Sequence, residues 1–269
     1  MTFKDITFLV FVKLDNEERR VNLSTMVEFY RSVGDAKFVI VEEDSSQKVP
    51  DLINLRDDDI YVFCPKSSGE WNKCKGYNIG IKLATTNILV FNDVDAIIHP
   101  NQILSTANEL HSNGNGGMMY PYNGQFLCTN KDIKHEFAKS LSYDDLHKYY
   151  PSIIQVNYDD GNILVGHTNS RGGCVMGRRD NLLKCNGYNP NFIGWGYEDD
   201  EMPFRVHKLG YDVTRLNGDN QPCWHLHHFD GTGSAKETQP NYEHNRQVAG
   251  IVDNSNKEQL QEYIKTWEI

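Results

Sequence analysis

The sequence predicts an α/β fold: one domain built on a mostly parallel sheet flanked by helices. Three observations carry this expectation. Short apolar, β-rich runs alternate with segments whose apolar residues recur at helical spacing, which is the signature of βαβ units. Several of those runs end in acidic or polar residues, as the carboxyl edge of such a sheet does where it builds a site. The composition is that of an ordinary globular chain, with 269 residues, 24% charged, 39% hydrophobic, 21 Gly and 9 Pro. That excludes collagen-like, disordered and disulfide-framework classes and leaves ample material for a core.

The elements follow in order. The run 6–12 reads as a first strand, and Leu23, Met26, Val27 and Tyr30 space a helix over 22–32. Residues 38–41 form a second strand, ended by Glu42, Glu43 and Asp44, and 60–64 a third. A helix is expected over 70–84 and a fourth strand over 87–91, running into Asn92-Asp93-Val94-Asp95. The middle is less regular: a glycine-rich loop at 113–117, a mixed-charge helix over 132–150 and a turn at 159–162. Beyond it come an apolar stretch from Gly172, a short helix to Cys185, a helix over 198–209 stopped by Gly210, strands at 212–216 and 222–226, and a closing helix over 243–267.

Charge and targeting narrow the function. Lys plus Arg total 27 against 37 Asp plus Glu, a net −10, which disfavours a broad basic face for nucleic acid. The apolar run 8–12 is far shorter than the ~20 residues of a membrane span, and no signal-peptide pattern precedes it. The expectation is a soluble, cytoplasmic protein. Cys64, Cys74, Cys128, Cys174, Cys185 and Cys223 lack paired spacing, so buried thiols are expected.

Four motifs could carry chemistry. Asp93 and Asp95 are two apart at a strand end, where extended backbone would aim both carboxylates one way, toward a cation and a ribose hydroxyl. A solvated turn has the same pattern. His225-Leu-His-His228 clusters imidazoles, whose nitrogens with carboxylate oxygen suit borderline metals such as Mn or Zn. Gly194-Trp-Gly-Tyr-Glu-Asp-Asp200 exposes an indole between glycines and then opens a helix with three acids, which its dipole favours in any case. Lys73 and Lys75 start a helix, where cations are disfavoured unless they meet an anion such as phosphate.

Together these pieces resemble the β-1,4-galactosyltransferase-like family of GT-A glycosyltransferases. The similar segments are Trp71-Asn-Lys with Asn78-Ile-Gly80, Phe91-Asn-Asp-Val-Asp95, Gly172-Gly173 with Asn186-Gly-Tyr188, and the Gly194–Asp200 run, in the family's order over residues 70–230. The likeness extends to polypeptide N-acetylgalactosaminyltransferases and chondroitin-polymerising enzymes. It implies a GT-A fold, a nucleotide-diphosphate sugar donor of the UDP-sugar type, Mn2+ (with Mg2+ as a second candidate) and inversion at the anomeric carbon. It implies Asp199 as the catalytic base, with Glu198, Asp200, Tyr197 and Trp195 at the acceptor. Donor contacts are Asp93, Asp95, Lys73 and Trp195, with Asp15 and Glu42 or Glu43 where the first ~65 residues match poorly. The metal ligands are Asp95, His225 and His228, with His227 in reserve and His225 standing where the family has Met. Residues 1–95 would form the nucleotide-sugar half and 96–269 the acceptor and metal half. The family's membrane stem has no counterpart, which suggests a bacterial or viral form. The acceptor is a glycan or another hydroxyl, including a hydroxylated base in DNA, which the net charge disfavours. A non-catalytic carbohydrate- or nucleotide-binding module is the rival from another class, and a zinc hydrolase is a third.

Overall fold

The computed structural model describes residues 1–66, 69–150, 166–167, 169–228 and 240–269. In chain order the elements are β1 (Ile6–Val12), α1 (Glu17–Val33), β2 (Lys37–Asp44), α2 (Val49–Leu52), β3 (Ile60–Pro65), α3 (Lys73–Leu83), β4 (Ile88–Asn92), β5 (Ala96–Ile98), α4 (Pro100–Ser112), β6 (Gly116–Tyr120) and β7 (Phe126–Cys128). They continue with α5 (Lys131–Ser140), α6 (Tyr143–His147), β8 (Gly166–His167), β9 (Cys174–Arg178), α7 (Arg179–Lys184), α8 (Glu198–Lys208), β10 (Asp212–Arg215), β11 (Cys223–His225), α9 (Tyr242–Asn254) and α10 (Lys257–Tyr263).

Seven strands form the main sheet in the order β10-β6-β9-β4-β1-β2-β3. Every neighbouring pair is parallel except those of β9, which runs against both β4 and β6. This is the mixed, mostly parallel α/β sheet expected from the alternating pattern. All seven residues of β1 are buried, as a central strand covered on both faces requires. Phe8 packs on Tyr30 of α1 and Phe38 of β2, with ring centroids 4.5 and 5.3 Å apart. Fully burying such side chains contributes about 1.5–3 kcal/mol each. A second, four-stranded sheet, β5-β11-β7-β8, stands at the edge where β4 ends.

Several boundaries differ from expectation. The second strand runs through to Asp44, because Glu42 and Asp44 find partners and can stay inside it. The helix expected over 70–84 starts at Lys73, with the Asn72 side chain capping Lys75 N. The single helix over 132–150 is two, broken at Leu141, which takes a left-handed conformation (φ 51°). The closing helix also breaks, at Ser255-Asn256, where Asn256 and Gln259 form a capping box that starts α10. Strands β5 and β7 and helix α4 had no sequence expectation. The turn expected at 159–162 lies outside the described residues. All six cysteines are free thiols, with Cys64 and Cys128 half-buried and the rest buried. No helix among the described residues is long and apolar enough to cross a membrane.

Candidate active site

At the carboxyl edge of β1 and β4 opens a cleft of about 570 Å³, walled by Phe11, Trp71, Lys73, Asp93, Asp95, Trp195, Asp199 and the histidines of the 225–228 segment. It is built from three constellations.

The first follows β4. The chain turns at Asp93-Val94-Asp95, with Asn92 Nδ2 donating to Asp93 O and Ala96 O (2.8 and 2.9 Å) and Asp93 N donating to Gly173 O (2.8 Å). This is a turn and not the extended backbone expected; both carboxylates border the cleft, Asp93 beside Lys73 and Tyr77 and Asp95 beside His225 and His228. Asp95 meets the imidazoles because β5 pairs antiparallel with β11, setting Ala96 opposite His225. His225 Nε2 lies 3.4 Å from one Asp95 oxygen and His228 Nε2 lies 3.2 Å from the other. One ligand atom from each of the three lies within 4.8 Å of the others. His227 lines the cleft but stands outside this cluster. Its N–H goes to Thr129 Oγ1 and its carbonyl accepts from Lys134 Nζ.

Burial raises the Asp95 carboxyl, but the imidazoles of His225 and His228 outweigh it and hold the group well below the ordinary range. Burial likewise pulls His225 down, and Asp95 outweighs it and lifts the imidazole well above its usual value. Two imidazoles converging on one buried carboxylate form a donor set that fits a divalent cation of borderline softness. The buried Nδ1 of His228 has no hydrogen-bond partner among the described residues, so that ring is held by what lies at its other nitrogen.

The second constellation is a lysine between two aspartates. Lys73, in the first turn of α3, is buried, and its ammonium lies 3.0 Å from Asp93 Oδ1 and 3.4 Å from Asp199 Oδ1. Tyr77 Oη donates to Asp93 Oδ1 at 3.3 Å. Burial disfavours the Lys73 charge, yet Asp199 and Asp93 outweigh it and keep its pKa well above the ordinary value.

The third is the turn that carries Trp195 and opens α8. Gly194, Gly196 and Tyr197 all take positive φ (66°, 115° and 68°), and Trp195 is 40% exposed. Glu198 is buried, its Oε2 accepting from Gly196 N at 2.9 Å; burial first, then the charge of Asp199, push its carboxyl up to about 7. Burial also raises Asp199, and Lys73 offsets this only in part. Gly172 leaves room beside that carboxylate, since a Cβ there would stand 3.2 Å from Asp199 Oδ2. Glu201, the fourth acid of the turn, pairs with buried Arg205 at 2.7 Å.

Lys73, Asp93, Asp95, Trp195, Glu198, Asp199, His225 and His228 therefore share one cleft. Five other expected contacts do not line it, among them Glu43, which accepts from Asn72 N at 3.0 Å and pairs with Lys66. Glu42 is wholly buried, accepting from Lys48 N, Val49 N and Tyr61 Oη. Asp15 pairs with Arg19 at 3.1 Å, Asp200 with Arg171 at 2.7 Å, and Tyr197 bonds Tyr242 hydroxyl to hydroxyl at 2.8 Å. Lys13 and Arg19 do line it, although they lie in the stretch where the family resemblance is weak. Their spacing after β1 carries no signal that would have singled them out.

The sequence profile described as "Glycosyl transferase family 2" matches residues 34–183, more than half of the chain. The chain belongs to glycosyl transferase family 2. A second profile, described as "N-terminal domain of galactosyltransferase", matches residues 156–229, about a quarter of the chain. Among curated proteins, β-1,4-galactosyltransferase 7 of Drosophila melanogaster is 31% identical over 106 residues, 38% of this chain and 30% of that protein. β-1,4-Galactosyltransferase 6 of Homo sapiens is 50% identical over 40 residues, 15% of this chain and 10% of that protein. The chain thus spans less than a third of the length of these relatives. Solved structures share the fold. The Drosophila β-1,4-galactosyltransferase 7 catalytic domain with xylobiose gives a TM-score of 0.50 at 17% identity, covering 93% of this chain and 81% of the other. A Pyrobaculum calidifontis mannosyltransferase with GDP-Man and Mn2+ gives 0.55 at 12% identity, covering 97% and 68%. GalNAc-T7 with UDP, GalNAc and Mn2+ gives 0.60 at 10% identity, covering 97% and 54%. The GT-A fold implied by the motifs is the fold of this family-2 chain.

Proposed function

We propose that this family-2 chain is a metal-dependent glycosyltransferase that moves a sugar from a nucleotide-diphosphate donor, of the UDP-sugar type, to an acceptor hydroxyl with inversion at the anomeric carbon. One observation carries the reading: a carboxylate–imidazole cluster and a lysine-flanked carboxylate face each other across one cleft. A binding module needs the first at most and has no use for the second.

Mn2+, or Mg2+ in its place, would be held by Asp95, His225 and His228 and would offset the charge gathering on a departing nucleoside diphosphate. Lys13 and Arg19 border the same cleft and add positive charge for the phosphates. Asp93, steadied by Lys73 and Tyr77, is set to accept a hydrogen bond from the donor's ribose or sugar. Asp199 takes the proton of the acceptor hydroxyl as its oxygen attacks the face opposite the leaving group. Burial raises its affinity for that proton, which a general base requires. Trp195 offers a flat apolar face at the donor–acceptor junction, and Glu198 lies beside it. Asp200 and Tyr197 would meet only an acceptor long enough to reach past the cleft, and Glu42 leaves the donor set because its carboxylate is already saturated. In this reading residues 1–95 form the donor half and 96–269 the acceptor and metal half, with Asp95 at their junction. The neighbours solved with GDP-Man and Mn2+, and with UDP, GalNAc and Mn2+, support the ligand chemistry.

The test is a screen of UDP- and GDP-sugars for turnover with Mn2+, with and without EDTA. Turnover that stops in EDTA and returns with Mn2+ is expected, and full activity in chelator would remove the metal from the scheme. Proton NMR of the product reads the anomeric outcome, and retained configuration would reject inversion.

A further inference from the structure

The turn carrying Trp195 is strained and cannot hold itself. Three of its four residues from Gly194 to Tyr197 have positive φ, and Tyr197 is not glycine, a conformation that costs about 1–2 kcal/mol. Such backbone persists only where its surroundings fix it. The fixing comes from α9, some fifty residues further along the chain. The carboxamide of Asn245 is wholly buried. Its Oδ1 accepts from Ile193 N at 3.1 Å, and its Nδ2 donates to Ile193 O at 2.9 Å and to Trp195 O at 3.1 Å. One side chain thus answers both backbone groups of Ile193, much as a neighbouring strand would, and also reaches the carbonyl of the indole residue. One turn earlier, the Tyr242 hydroxyl meets that of Tyr197. From the opposite side, Gly194 N donates to Trp71 O at 2.9 Å.

We infer that Asn245 is a positioning residue for the acceptor side of the cleft, holding the Trp195 turn, with Tyr242 as its auxiliary. Asn245 does not border the cleft and makes no hydrogen bond to Asp95, His225, His228 or Lys73. Its loss should therefore disturb the indole and the acids that follow it while sparing the metal cluster and the donor wall. A group serving global stability alone would make no such distinction. The inference rests on the proposed transfer reaction for its functional half and on the hydrogen bonds alone for its structural half.

The experiment compares wild type, Asn245→Ala and the milder Tyr242→Phe, which loses one hydroxyl and keeps the ring. Hydrogen–deuterium exchange reads the amides of Ile193 and Gly194. Calorimetry reads UDP with Mn2+, and steady-state kinetics use UDP-galactose and xylobiose as the probe pair. In Asn245→Ala the two amides should exchange tenfold faster or more, with β1 and β4 unchanged. UDP affinity should stay within twofold, since the metal cluster and Lys73 are untouched, while acceptor KM rises at least tenfold. Tyr242→Phe should move the same quantities in the same direction by a smaller factor. Unchanged exchange at 193–194, faster exchange throughout the sheet, or a loss of UDP affinity as large as the rise in acceptor KM would each overturn the inference. If wild type turned over none of the sugar nucleotides, the proposed function would fall, and the exchange data would still decide the tether.

Discussion

Asp95 and Asp199 sit in the same cleft, each bordered by cationic side chains, yet their surroundings drive the two carboxyls in opposite directions. Around Asp95 the two imidazoles outweigh burial, and the carboxyl is driven well below its ordinary range. Around Asp199 burial outweighs the single ammonium of Lys73, and Asp93, itself drawn to that ammonium, pushes the other way, so the carboxyl is raised. The first arrangement keeps an anion in every relevant condition, as a cation ligand must be. The second raises the affinity for a proton, as a base needs. Desolvation is common to both, so the number and sign of neighbouring charges decides the role.

Four substitutions would break or sharpen this contrast, from the largest expected effect to the smallest. Asp199→Asn removes the proposed proton acceptor and should lower kcat by about 10²–10⁴-fold, leaving Mn2+-dependent UDP binding intact by calorimetry. Asp95→Asn should do the reverse at the first step. Mn2+ affinity should fall by more than the ~10–100-fold that loss of an outer partner typically costs, read by direct titration of the metal. Were both variants to lose metal binding equally, the two carboxylates would not have separate roles.

Glu198→Gln tests the raised carboxyl beside the base. The Glu198 pKa stands at about 7 in the folded chain against an ordinary 4.5, so the fold holds this proton more tightly than the unfolded chain does. Its contribution to stability is complete below about pH 4.5 and is lost as pH rises through 7, a difference of about 3 kcal/mol. Glu198→Gln should flatten that decline, seen as a smaller drop in Tm between pH 5 and pH 8. Lys73→Gln takes away the charge that lowers Asp199. The acid limb of the kcat/KM profile should then move to higher pH, because the base is protonated over a wider range. A limb that stays in place would assign it to another group.

What could be read from the residues alone divides along the same physical line. Strands β1, β3 and β4 and the start of α8 follow from local apolar runs, acids and glycines, which act within a few positions. The break at Leu141 and the buried fate of Glu42 depend on what packs against them, and no local pattern encodes that. Helix α4 does carry a local signal, proline in its first turn and Ile103, Ala107 and Leu110 at helical spacing. Asp95 and His225 meet only because β5 pairs with β11, a register set by the whole fold. The resemblance to a known family supplied what spacing could not. It did not foresee that Lys73 would link Asp93 to Asp199, for that contact joins residues 126 apart in the chain.

The reversed strand β9 has a further consequence. Since β6 runs with β4 and β9 runs against both, the chain departs from the sheet at Tyr120 and rejoins it at Cys174 on a single rim, the one that bears the cleft. Both ends of that excursion are pinned, one by Tyr120 in β6 and the other by Gly173, whose carbonyl holds Asp93 N. The span between them is itself part of the site, because β7 lies in it and pairs with β11, setting Cys128 opposite His225, and Phe126, Cys128 and Thr129 border the cleft. A single excursion therefore ties the turn after β4 to the strand that carries His225, so a change of length near β7 would be felt at both.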